Sequence, residues 1–76
     1  MTDTKALKGA IKSSGVSLTY LADTLGITRG ALYKKLENVT EFKASEIVML
    51  KRVLNLSDKK RDEIFFNEKV ELKSTQ

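Results

Sequence analysis

The chain has no cysteine and no histidine among its 76 residues. The first absence excludes a disulfide framework and any thiolate metal site. The second removes the usual nitrogen ligand of zinc and the commonest general base. No apolar run approaches the roughly 20 residues of a membrane span, and the N-terminal stretch lacks the apolar core of a signal peptide. Glycine-rich phosphate loops, metal-ligand spacings and nucleophile elbows are missing as well. An enzyme built from what remains would have to run on carboxylates, lysine, or a serine with a lysine base. The acidic residues instead lie scattered beside lysines, as in Asp58-Lys59-Lys60-Arg61-Asp62-Glu63, which reads as a solvated helix face with i,i+4 pairs. Neither enzymatic activity nor a cofactor is expected.

A chain this short allows one domain and buries only about 60% of its extended-chain surface, so its core must be small and well packed, and dimerisation would help. Lys and Arg total 14 against 10 acidic residues, a net charge of +4. The excess is uneven. Met1 to Asn38 holds six basic and three acidic residues, whereas Val39 to Gln76 holds eight and seven. A positive first half suits contact with nucleic acid, although the excess is modest.

The most informative stretch runs from Ser17 to Asn38, SLTYLADTLGITRGALYKKLEN. Leu21, Ala22 and Leu25 recur at helical spacing, as do Leu32 and Leu36 further on. Between them, Gly26 is the residue type that accepts a positive φ after a helix. Ile27 would plug the angle between two helices, and Thr28 would cap the second. A small Ala22 permits a close crossing. The pattern predicts a helix-turn-helix.

In these residues the chain resembles the repressor and Cro regulators of temperate phages, whose helix-turn-helix aligns with residues 18–37 without a gap. The family pattern has a small residue in its first helix (Ala22), a turn glycine (Gly26), an apolar residue after it (Ile27) and an aliphatic further on (Leu32). The resemblance implies sequence-specific binding to a double-stranded DNA operator in a phage or prophage genetic switch, in the cytoplasm of a bacterial host. The helix over Thr28 to Leu36 would be the recognition element, entering the major groove with its N-terminal residues nearest the bases. With Leu32 and Leu36 inside, Arg29, Gly30, Tyr33 and Lys34 are the candidate base contacts. Arg29 is suited to guanine O6 and N7; Tyr33 is suited to a base edge, a thymine methyl or a phosphate. Lys12, Ser14, Ser17, Thr28 and Lys35 are the candidate phosphate contacts.

One departure from the family is informative. The first position of the motif's first helix is commonly a glutamine that bonds a phosphate and braces a base-reading side chain; Leu18 stands there instead. Leu18 and Tyr20 do not both fit the inner stripe, so at least one should be exposed. With Arg29, Tyr33 and Val39 they form a candidate face for a protein partner. The alternative function is therefore an antirepressor that binds the phage repressor protein through the same face.

The rest of the chain reads as further short helices, making an all-α bundle of about five. A first helix is expected over Asp3 to Ser14, with Leu7, Ala10 and Ile11 inside and Gly15 ending it. Asn38 suits a positive φ after the recognition helix. Phe42 should anchor the next connection. A fourth helix is expected over Ala44 to Leu54, and a fifth, capped by Ser57, over Asp58 to Phe66. Residues 1–66 would form the helix-turn-helix domain and 67–76 an extended or β-strand tail, in which Val70 and Leu72 alternate with charges. Such a strand could pair with a second copy, giving a homodimer that matches a palindromic operator.

Overall fold

Four short polar side chains open four of the helices. The side chains of Asp3, Ser17, Thr28 and Ser57 accept hydrogen bonds from the amides of Ala6, Tyr20, Ala31 and Lys60 at 3.0–3.1 Å. Each such cap satisfies one orphan amide and is typically worth about 1 kcal/mol. The fourth helix starts differently. Its N-cap is Lys43, whose amide donates to the Glu46 carboxylate at 2.8 Å. In this computed structural model, which describes residues 1–66, the helices are α1 (Thr4–Ser14), α2 (Leu18–Leu25), α3 (Arg29–Leu36), α4 (Ala44–Val53) and α5 (Asp58–Phe65). The five expected helices are present, with ends that differ by a residue because capping residues stand outside the helix proper. The expected tail strand lies outside the described residues, and among these there are no strands.

Three helices end in one way. Gly26, Asn38 and Asn55 have φ of 72°, 60° and 55°. The amide of the next residue then reaches back to a carbonyl five residues earlier: Ile27 to Ala22 at 3.0 Å, Val39 to Lys34 at 2.8 Å, and Leu56 to Lys51 at 2.9 Å. This left-handed closure satisfies carbonyls that a helix end leaves open. Glycine bears that conformation without strain and asparagine bears it better than most residues. The chain reverses sharply at each point, which is how five short helices fit around one core.

That core comprises Leu7 and Ile11 of α1, Leu21 and Ala22 of α2, Leu32 and Leu36 of α3, Ile47 and Leu50 of α4, and Ile64 and Phe65 of α5, with Phe42, Leu54 and Leu56 from the connections. Leu18, Leu25, Ile27 and Val53 are packed at its margin. Phe42 meets Phe65 edge to face, with ring centroids 5.6 Å apart, a favoured aromatic geometry. α2 packs on α3 and α4, α1 on α3 and α5, and α4 on α5. Phe65 takes the inner position and Phe66 stays half exposed.

The first residues add a clasp. The Asp3 amide donates to the Ile64 carbonyl at 2.7 Å, and the Asn38 side-chain amide donates to the Thr2 carbonyl at 3.1 Å. Thr2 is buried.

Candidate nucleic-acid interface

α3 is divided lengthwise. Leu32, Lys35 and Leu36 are buried, whereas Arg29, Gly30, Tyr33, Lys34 and Glu37 are exposed. The exposed positions follow the i, i+4 spacing of a single helical face. α3 is fixed behind that face by its leucines and by contact with both α1 and α2. The turn before it, Gly26-Ile27-Thr28, is set by the left-handed glycine and the threonine cap.

On the outer face, Arg29 Nη2 donates to the Tyr33 hydroxyl at 2.9 Å, with the guanidinium carbon 5.7 Å from the ring centroid. The two side chains stand one helical turn apart and engage each other. Lys34, beside them, makes no ion pair among the described residues. Gly30 presents bare backbone: a Cβ there would meet only Thr28 Oγ1, at 3.9 Å.

The expected phosphate contacts divide. Ser17 and Thr28 accept amide hydrogens as caps, which leaves each hydroxyl proton free to donate. Both stand at helix N-termini, where backbone amides and the helix dipole favour an anion. Ser14 is exposed but internally engaged, donating to the Ile11 carbonyl at 2.7 Å. Lys12 is exposed and unpaired among the described residues.

Lys35 is a correction. Its ammonium is buried, 3.2 Å from Glu46 Oε1 and 2.9 Å from the Glu41 carbonyl, and lies 5.7 Å from the Phe42 ring centroid. A phosphate cannot reach it without dismantling this network. Lys35 follows Leu32 by three residues and precedes Leu36 by one, so it shares their inward stripe.

The expected partner face is also regrouped. Leu18 and Tyr33 meet as walls of one largely apolar groove of ≈ 290 Å³, completed by Lys8, Ile11, Lys12, Leu36 and Glu37. Lys8 and Glu37 bridge at 3.0 Å. Tyr20 and Val39 are exposed, 55% and 68%, but are not part of the groove. The groove was not readable from the sequence, because three helices build it. Its linear traces are the i,i+4 pairs Lys8 and Lys12 of α1 and Tyr33 and Glu37 of α3 and its cap.

Elsewhere, Arg61 has its pKa raised by a hydrogen bond from its guanidinium to Asp62, and further by the charges of Asp62 and Asp58. Among the described residues there is no cluster of three or more metal-ligating side chains, and no helix is long and apolar enough to cross a membrane. No protein-family model, curated protein or solved structure matches this chain.

Proposed function

We propose that α2 and α3 form a helix-turn-helix and that the protein is a sequence-specific DNA-binding regulator of the Cro type, with α3 in the major groove. The observation that carries this reading is the outer stripe of α3. Arg29, Gly30, Tyr33 and Lys34 are exposed together on a helix whose opposite face is locked into the core. A short, rigid helix that presents a fork-shaped donor near its N-terminus is what base-edge reading requires. Ser17 and Thr28, each with a free hydroxyl proton at a helix start, suit phosphates on either side. Lys12 adds charge from the end of α1.

Fluorescence anisotropy tests this, using duplex DNA from the control region beside the gene against an unrelated duplex, over a range of salt. A specific site should weaken by decades as salt rises and be lost with Arg29→Ala. Equal, weak binding to both duplexes would overturn the reading.

A second reading is favoured by one observation, the apolar groove beside Tyr33. DNA offers little beyond thymine methyls to fill such a groove, whereas a protein can insert a large side chain. In that reading the chain acts as an antirepressor, binding the phage repressor through Leu18 and Tyr33. Leu18→Glu should then abolish the protein complex, and Arg29→Ala should only weaken it.

A further inference from the structure

We infer that Tyr33 is a positioning residue: its hydroxyl holds the Arg29 guanidinium so that the two act as one guanine-recognising unit. The inference rests on the DNA-binding reading above and deepens it.

The hydroxyl of Tyr33 is already engaged, accepting from Arg29 Nη2 at 2.9 Å. That bond occupies a lone pair of the phenol oxygen and leaves its proton free to donate; what the contact fixes is the place of the guanidinium. It carries five N–H donors in a rigid fork, and one bond to Tyr33 leaves two parallel donors for guanine O6 and N7. The ring stands beside the planar guanidinium, 5.7 Å from centroid to carbon, which limits its swing.

The arrangement matters because arginine is long and loses much rotamer freedom when it binds. A side chain held before contact loses less on binding, and the difference appears as discrimination. Leu18, at the start of α2, has no polar atom and packs at the margin of the core, so it offers Arg29 no brace. The i,i+4 pair within α3 supplies a brace from the same helix.

The test begins by selecting a preferred site from a random-sequence duplex library with the wild-type protein. Every base pair of that site is then substituted in turn, and affinities are measured for wild type, Tyr33→Phe, Arg29→Ala and the double variant at two salt concentrations. Tyr33→Phe removes one exposed oxygen and keeps the ring, so circular dichroism should be unchanged. The expected result is a loss of guanine preference of about three- to tenfold at one position, the same position at which Arg29→Ala removes the preference altogether. Adding Tyr33→Phe to Arg29→Ala should then change nothing, and the salt dependence should stay as in wild type. In the DNA-free protein, NMR relaxation should show the Arg29 Nε–H more mobile in Tyr33→Phe.

A Tyr33→Phe effect at a different base pair would overturn the inference, since Tyr33 would then read a base of its own. A shallower salt dependence would also overturn it, by placing the hydroxyl on a phosphate; so would unchanged discrimination with unchanged Arg29 mobility. A wild-type protein that selects no site at all would overturn the DNA-binding reading itself, and the inference with it.

Discussion

Lys35 Nζ lies 3.2 Å from Glu46 Oε1, and both side chains are about nine-tenths buried. The same carboxylate oxygen accepts the Lys43 amide at the start of α4, and the ammonium also donates to the Glu41 carbonyl. One ion pair therefore fastens the last turn of α3 to the connection and helix that follow it. A buried pair is weak evidence of net stability, but removing one partner strands the other charge. Lys35→Met should cost about 3 kcal/mol in urea denaturation. Lys35→Met with Glu46→Gln, which keeps an acceptor for Lys43, should recover most of the loss. A single variant within ~0.5 kcal/mol of wild type, the range of ordinary surface changes, would show that the pair holds nothing.

The burial of Lys35 separates it from Lys34 in any DNA complex. Lys34→Ala should weaken binding to all duplexes alike and lower the slope of log affinity against log salt by about one. The Lys35→Met/Glu46→Gln protein should keep the wild-type slope. Titrations at several salt concentrations measure both, and a reduced slope in the Lys35 variant would mean that its ammonium leaves the core on binding.

Gly30 offers a test in which stability and binding move apart. Its site has open space for a methyl group, so Gly30→Ala should stabilise α3 by up to about 1 kcal/mol. If α3 enters the major groove as proposed, a Cβ on this exposed face would hold the helix away from the bases, so site affinity should fall several-fold while thermal stability rises. A rise in both would show that the backbone does not approach the DNA closely at this position.

At Gly26 the expectation reverses. A Cβ would again meet nothing within 4 Å, but φ is 72°. Gly26→Ala should therefore destabilise by about 1 kcal/mol, from backbone strain alone. Chemical denaturation of Gly26→Ala beside Gly30→Ala should give opposite signs.

Much of the bundle was readable in advance because its helix ends are local chemistry. Thr28 and Ser57 announce starts, and Gly26 and Asn38 announce stops, each within a few residues of the bonds they make. Phe42 was legible as an anchor because it is a lone aromatic in a polar connection. Lys35 was misread because residue type outweighed position: a lysine suggests solvent, but its place three residues after Leu32 and next to Leu36 put it on the inward stripe. Its partner Glu46 stands eleven residues further along the chain, so the pairing could not be read locally. The groove between α1, α2 and α3 depends on how those helices cross, which periodicity within each helix does not fix. The contact between Arg29 and Tyr33 was implicit in their i,i+4 spacing, but only the rotamers show which atom holds which.

The clasp at the beginning of the chain bears on how the bundle comes apart. Asp3 caps α1 and donates to the last turn of α5, while Thr2 receives the side chain that closes α3. Two residues thus join the ends of three helices. Fraying at the start of the chain would cost α1 its cap and break a bond to each of the other two helices, so these elements should open together. Amide hydrogen exchange in α1, α3 and α5 should then report one shared opening free energy, and the domain should resist the piecemeal loosening to which so small a bundle would otherwise be exposed.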